Sequence, residues 1–420
     1  MTLKKNTLWG IAGGGIPMAA AVISIPYLLK HLGNGGFGVL TLIWALIGYF
    51  SLFDMGIGRA LTYQVGAMLS IRSRSEVSSV VCAGVLLAAA TGAIGATVMY
   101  LLAQRLAENW LGIDEAMLQD SIKAFKVTAV GVLLATTSSA LRGALEGYGK
   151  FAASNINKIA SGFFTFILPA ISISLHGNSL WLISTYLVAG RLVTSIGMAL
   201  QLRTDFLAQN IRLKRTQLAE LLSFGSWVTV SGIIGPLMIY GDRFLVGASI
   251  GTSQLPYYAI PQEGLQRLLI IPAALCAALL PALSALGSRD SLVLYRTNFG
   301  RIIKYAAIYC IVAALLSYPA LYILFSKEFS ITAGPIAIVL TIGIFLNSIA
   351  FLPYTFLHSR GMPKITALMH VVELIFYIFI LWFLTKYFGL IGAAVAWTTR
   401  VALDLILLLI AVRWIRSKDQ

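Results

Sequence analysis

The stretch Ser51-Leu52-Phe53-Asp54-Met55-Gly56-Ile57-Gly58-Arg59-Ala60 closes an apolar run that opens near Phe37. Asp54 follows an uncharged segment, Leu46 to Phe53, and Arg59 comes a little more than one helical turn later. An isolated ionised side chain at bilayer depth costs at least about 2.5–3.5 kcal/mol on insertion scales, so such groups turn toward a protein interior or a water-filled cavity. Gly56 and Gly58 loosen the helix here and permit a bend or a close backbone approach. Two readings stand side by side. In one, Asp54 and Arg59 belong to a site; in the other, Asp54 bonds to nearby backbone at a helix end and Arg59 snorkels to the cytoplasmic surface.

The surrounding chain sets the context. Apolar residues make up 58% of the 420 and charged residues 11%, with a mean hydropathy of +0.85. A soluble domain carries about 25% charged residues, so this chain cannot cover a water-facing surface. An all-α polytopic membrane protein is expected. Twelve apolar segments lie near 8–29, 38–58, 78–103, 122–143, 158–176, 180–201, 222–241, 256–284, 302–325, 334–357, 365–385 and 389–412. Each suits one crossing by a helix of about 20 residues. The first, Leu8 to Leu29, is too long for the apolar core of a signal peptide and reads as an uncleaved span. Prolines from Pro17 to Pro353 recur inside these segments, as suits a protein whose helices bend.

Charge asymmetry gives the orientation. Of the Lys and Arg residues between segments, 21 fall on the side that holds both termini and 7 on the other. The positive-inside rule places the 21, and both ends of the chain, in the cytoplasm. The net charge of +15 then reports topology and anionic lipid, with no need for nucleic acid. The longest external connection, Gln104 to Ser121, carries Glu108, Asp114, Glu115 and Asp120 and is expected as a solvated cap. The longest internal one carries Arg212, Lys214 and Arg215 and sits near the midpoint. This divides the chain into an N-terminal six-helix lobe (1–205), a basic cytoplasmic linker (206–220) and a C-terminal six-helix lobe (221–420). Ala189-Gly190-Arg191-Leu192-Val193 in the sixth segment is echoed by Thr398-Thr399-Arg400-Val401-Ala402 in the twelfth. Six spans per half make the halves parallel repeats, with a site expected between them.

Ionisable residues inside the segments are the site candidates. Glu263 and Arg267, and likewise Arg400 and Asp404, are four apart and can pair on one helix face. Arg191 has no acid within a turn, so it should face a polar cavity, an anionic ligand or an acid on another helix. Guanidinium forks suit phosphate. Glu373 has only His370 near it on its own helix face and can bind a proton or cation reversibly. The expected substrate-binding residues are Arg191, Arg400, Arg59 and Arg267, and the expected ion-coupling acids are Glu373, Asp54, Asp404 and Glu263. Cys82, Cys276 and Cys310 read as buried thiols. Without a His/Cys cluster, a P-loop or a long catalytic loop, no enzyme activity, metal or cofactor is expected.

Phe37-Gly38 together with Leu52-Phe53-Asp54-Met55-Gly56-Ile57-Gly58-Arg59-Ala60 resembles the signature region of the bacterial polysaccharide transporter family. Gly225, Asp242-Arg243 and the stretch from Pro256 to Pro281 resemble its seventh and eighth spans. Within the multidrug/oligosaccharidyl-lipid/polysaccharide exporter superfamily, the chain is most similar to the Wzx-type O-antigen flippases. The resemblance implies twelve transmembrane helices in two six-helix lobes, V-shaped as in MATE exporters, opening alternately to each side of the bacterial inner membrane. It also implies an undecaprenyl-pyrophosphate-linked oligosaccharide as cargo, an ion gradient as drive, and a polysaccharide polymerase and chain-length regulator as protein partners. Three alternatives are weighed. A drug or cation antiporter of the superfamily would favour an acidic cleft. A lipid II flippase would carry extra spans and a more basic first helix. A membrane polysaccharide polymerase would need a large external loop with catalytic arginines.

Overall fold

The computed structural model describes residues 3–50, 56–69, 74–206, 237–238 and 241–418, and every regular element among them is helical. In chain order these are α1 (Leu3–Phe50), α2 (Ile57–Met68), α3 (Arg74–Arg105), a π turn (Leu106–Trp110), α4 (Glu115–Gly147), α5 (Phe151–His176) and α6 (Leu180–Phe206). There follow α7 (241–250), α8 (Leu255–Gln266), α9 (Ile270–Ala285), α10 (Ser288–Leu324), α11 (Lys327–Ser359) and α12 (Pro363–Lys418). Among the described residues, nine helices are long and apolar enough to cross a membrane.

Two of them are too long for one crossing. α1 has 48 residues and α12 has 56, which at about 1.5 Å per residue is about 70 and about 85 Å, against a hydrocarbon core of about 30 Å. Each is broken at one glycine, Gly33 (φ 66°, ψ 177°) and Gly389 (φ 60°, ψ −140°). A positive φ costs glycine nothing but strains any residue with a Cβ. Of the expected spans, 8–29 and the part of 38–58 up to Phe50 therefore lie on the two arms of α1, and 365–385 and 389–412 on the two arms of α12. The segment expected over 256–284 is interrupted by a 3-10 turn at Arg267–Leu269 between α8 and α9. Pro272 has no N–H to give the Leu268 carbonyl, so the α pattern cannot run through. Asp54, residues 207–220 of the expected linker and most of the expected span 222–241 lie outside the described residues.

The chain divides after Gly241 into two compact units. In the N-terminal unit α4 is the hub, packing against α1, α2, α3, α5 and α6; in the C-terminal unit α11 packs against α8, α9, α10 and α12. Inside lipid there is no water to expel between helices, so association rests on close van der Waals fit and small interfacial residues. The N-terminal core joins Ile57, Leu61 and Val65 of α2 to Val77 and Val81 of α3, Leu141 and Leu145 of α4, and Met198 and Leu202 of α6. Its C-terminal counterpart joins Leu283 of α9, Tyr295 of α10, Leu352 and Phe356 of α11, and Leu408 and Val412 of α12. Large apolar side chains such as Leu315 and Ile323 are exposed, as a lipid-facing surface requires.

The connection expected as an external acidic cap is only partly a loop. After the π turn α4 begins at Glu115, and Asp120 lies within it. Its carboxylate accepts hydrogen bonds from Leu180 N (2.5 Å) and Ser179 Oγ (3.1 Å) and so caps the start of α6. The orphan amides there and the positive end of the helix dipole account for an acid at that place. On the same side of the expected topology, Arg243 is no loop cation: it is 2% exposed.

Candidate functional site

The N-terminal unit holds a pocket of about 310 Å³ lined by Arg59, Ala135, Ser138, Ser139, Arg142, Asn157, Ser161, Arg191, Thr194 and Met198. Three helices supply its cations: Arg59 from α2, Arg142 from α4 and Arg191 from α6. Arg142 and Arg191 are half-buried and Arg59 is exposed. Among the described residues, no acid lines the pocket. Glu146, one turn beyond Arg142, instead accepts from Ser154 Oγ at 2.7 Å. Among the described residues none of the three guanidinium groups forms an ion pair. Arg191 also borders a smaller cavity of about 30 Å³ with Trp44, Ile47, Phe164 and Leu187, room for about one water.

The lining hydroxyls and amide are largely engaged with one another and with backbone. Ser138 Oγ and Ser195 Oγ are 2.6 Å apart, Thr194 Oγ1 donates to the Arg191 carbonyl at 2.9 Å, and Asn157 Nδ2 donates to Gln201 Oε1 at 2.7 Å. The strong donors left facing the space are guanidinium groups. Chemically the arrangement can hold an anion, since guanidinium forks match the oxygens of phosphate. Arg191 and Arg59, both expected as substrate ligands, are brought together here. Arg142 was counted only as a cytoplasmic charge, because the apolar run around it ends near 143. The helix in fact continues to Gly147.

The C-terminal unit holds the remaining candidates in two groups. In the first, Glu263 on α8 accepts from Arg243 Nη2 on α7 at 2.7 Å and from Arg267 Nη2 in the following 3-10 turn. The i,i+4 pairing expected for Glu263 and Arg267 is thus formed and extended by a second, buried base. Beside it Asp242 Oδ2 accepts from Tyr258 Oη (2.7 Å) and Gln262 Nε2 (2.6 Å). The sequence pointed to Asp242-Arg243 only through family resemblance and assigned neither to a site.

The second group lies on α12. The ligand atoms of His370, Glu373 and Asp404 are all within 4.8 Å of one another. Glu373 is fully buried, and neither of its carboxylate oxygens has a hydrogen-bond partner. Arg400 sits with its guanidinium 5.7 Å from the Tyr377 ring centre, a cation–π distance. His370 was expected beside Glu373; the structure adds Asp404 from the other arm of α12. An imidazole and two carboxylates so placed can share a proton or ligate a small cation.

Several aromatic residues that could stack on sugars sit elsewhere. Trp397 is 2% exposed and packs against Gly343, while Tyr63 and Trp181 are exposed. Cys276 and Cys310 are buried and Cys82 half-buried, all three as free thiols.

Comparison with known proteins places this geometry in a family. The pattern of the polysaccharide biosynthesis protein family matches residues 3–286. A putative O-antigen transporter of Shigella flexneri is 31% identical over 412 residues, covering 97% of each chain. The chain belongs to this family of polytopic membrane transport proteins. Its fold is that of an inward-facing MATE family transporter of the MOP superfamily (TM-score 0.77, 13% identity, covering 100% of this chain and 95% of that one). It is also that of the lipid II flippase MurJ in an inward closed conformation (TM-score 0.75, 14% identity, covering 97% and 87%).

Proposed function

We propose that the protein is a flippase that moves an undecaprenyl-pyrophosphate-linked oligosaccharide, an O-antigen or similar repeat unit, from the cytoplasmic to the periplasmic leaflet of a bacterial inner membrane. The observation that carries this reading is the pocket with three arginines and, among the described residues, no acid. A cationic drug would be repelled there, whereas a diphosphate is drawn in and held. The acyl chains of the membrane can keep the lipid tail while the polar head crosses. On this reading Arg191 and Arg59 bind the diphosphate, and Arg400 and Arg267 are further substrate ligands.

The power stroke is assigned to ion uptake by alternating access. Glu373 and Asp404 are the coupling acids, with His370 beside them, because a buried carboxylate without hydrogen bonds is costly until it takes a proton or cation. Asp54 and Glu263 remain further coupling candidates, the latter held between two bases. Twelve passes in two six-helix lobes, 1–205 and 221–420 joined by 206–220, with both termini cytoplasmic, complete the proposal. Supporting the duplication, the hubs α4 and α11 cover the fourth and tenth apolar segments, six apart. A polysaccharide polymerase and chain-length regulator are the expected protein partners.

The test is a deletion strain without a second flippase. It should lose polymerised surface polysaccharide while the lipid-linked unit still accumulates, and the plasmid-borne gene should restore it. Normal surface polysaccharide in the deletion strain would sink the reading.

A further inference from the structure

We propose that α10, where its N-terminal part leaves the bilayer, carries a docking site for the headgroup of an anionic diacyl phospholipid, built from Arg296, Arg301 and Lys304 around Gly300. This stands apart from the cargo reading. The exposed residues of α10 give its membrane register. Tyr305 and Tyr322 are exposed, and between them Ile308, Ile311, Val312, Leu315 and Leu316 also face outward. The stretch from Tyr305 to Leu324 is about 30 Å long at about 1.5 Å per residue, which matches the hydrocarbon core, and tyrosines favour the edges of that core. α10 begins at Ser288, so about 25 Å of the helix precedes the core.

The exposed face of this outer part is basic. Arg296, Gly300, Lys304, Ile308 and Ile311 follow at spacings of four or three along one exposed line, and Arg301 stands exposed beside Gly300. A Cβ on Gly300 would meet nothing within 4 Å, so the backbone there is the floor of a notch with a base above, below and beside it. Gly300 lies about 7 Å beyond Tyr305 along the helix, at the level of the headgroups, which add about 5–7 Å to each side of the core. None of the three bases is in an ion pair with a described residue. Asp290, the one acid of α10, is about 15 Å from Gly300; α9 has no charged residue, and Glu328, the one acid of α11, is at the far end of that helix. On the opposite face Ser291, Tyr295, Asn298, Ile302 and Ala306 are buried, and Arg360, just past α11, donates to the Gly287 carbonyl at 3.3 Å and to Ser291 Oγ. The outer turns are thereby fixed to the C-terminal unit, which holds the notch at one height. Bases at that height are drawn to a negatively charged lipid surface, whereas a zwitterionic headgroup sets its own cation beside its phosphate. The apolar line of Ile308, Ile311 and Leu315 directly below offers acyl-chain surface, so the occupant is a lipid and not a free phosphate.

The test uses the full-length protein in nanodiscs of phosphatidylglycerol and phosphatidylcholine in equal parts, each lipid in turn carrying the same photoactivatable group near its headgroup. Labelled peptides are then identified by mass spectrometry. The phosphatidylglycerol probe should label the stretch 289–305 at least about fivefold more than the phosphatidylcholine probe, the usual worth of one basic residue at an anionic surface, and high salt should shrink the difference. Arg301→Gln combined with Lys304→Gln should bring the two probes to near equality. Gly300→Leu should lower the preference with every base in place, which a general attraction of positive surface for lipid does not produce. Arg289→Gln, more than a Debye length from the notch, should change it less than about twofold. Thermal melting of each variant reports whether it is folded. Equal labelling by the two probes in wild type, or an undiminished preference in the folded double variant, overturns the proposal. A preference that survives Gly300→Leu intact, or falls as far in Arg289→Gln as in the double variant, shows only a general positive surface and overturns it as well. Displacement of the probe by millimolar glycerol phosphate marks a site for free phosphate and rejects the lipid. Both leaflets of the nanodisc have one composition, so the outcome does not depend on which side of the membrane α10 begins.

Discussion

Removing the Glu263 carboxylate should cost far more stability than removing the exposed base it also holds. In the structure Glu263 bridges Arg243, whose side chain is 3% exposed, and Arg267, whose side chain is 42% exposed; its own is 28% exposed. Breaking a buried ion pair from one side costs about 3–5 kcal/mol, because the other charge stays behind in a poorly solvated place. Partial access of water to Glu263 puts Glu263→Ala near the bottom of that range. At about 3 kcal/mol the ratio of folded to unfolded protein falls more than about a hundredfold. Arg267→Ala breaks a pair at the exposed end, worth about 0–1 kcal/mol, and should lower the ratio less than about tenfold. The assay is equilibrium unfolding of the purified variants in mixed micelles titrated with SDS. Equal losses in the two variants, or a Glu263→Ala protein as stable as wild type, would refute the reasoning. The second outcome, combined with slowed transport, would move Glu263 from architecture to ion coupling.

Other outcomes follow from the same coordinates. Arg191→Ala should abolish surface polysaccharide at normal membrane abundance while Arg191→Lys keeps part of it, read by complementing the deletion strain; wild-type polysaccharide with alanine removes Arg191 from the site. Glu373→Gln keeps size and removes the exchangeable charge, so gradient-driven turnover should slow without loss of protein, and unchanged transport would assign Glu373 to packing. Gly343→Val pushes a side chain into the Trp397 ring, whose Cε3 lies 2.7 Å from a Cβ at that position, and should cost about 1–3 kcal/mol, seen as reduced membrane yield. Gly300→Ala in α10 meets nothing within 4 Å and should instead be neutral or stabilising by up to about 1 kcal/mol. Reporter fusions after Arg203 and Gln420 should read cytoplasm and fusions near Asp114 periplasm; a periplasmic C-terminus would overturn the two-lobe proposal.

The spans were legible because lipid demands long uncharged runs, a signal that needs no tertiary information. Two of their joints were legible as well: Lys30 and Gly33-Asn34-Gly35-Gly36 separate the first two expected spans and Lys386 to Gly389 the last two, whereas the interruption at Arg267–Leu269 fell inside a segment expected as one span. Arg191 stood out as a base without a local acid, and it does line the pocket. Arg142 did not stand out, because four residues of α4 beyond the apolar run disguised it as a loop charge. The one available sign was the mirrored pair Gly58-Arg59 and Arg142-Gly143. Contacts between separate segments were out of reach from spacing alone: Arg243 with Glu263, and Asp404 with Glu373. The spacing of four did reveal Glu263 and Arg267, since that pairing is local to one stretch of chain.

The meeting of α2 and α4 also bears on how such a protein can change over generations. Gly58 and Gly143 let the two backbones touch, a Cβ on Gly143 colliding with the Gly58 carbonyl oxygen, and each is the adjacent codon to an arginine that charges the pocket, Arg59 or Arg142. A substitution that relaxes the crossing also displaces a charge, and one that trades the charge sits beside an immovable contact. Drift is therefore closed along this seam, whatever sugar the lineage exports. Diversification is left to α5, whose Asn157 and Ser161 line the pocket from a helix outside this seam.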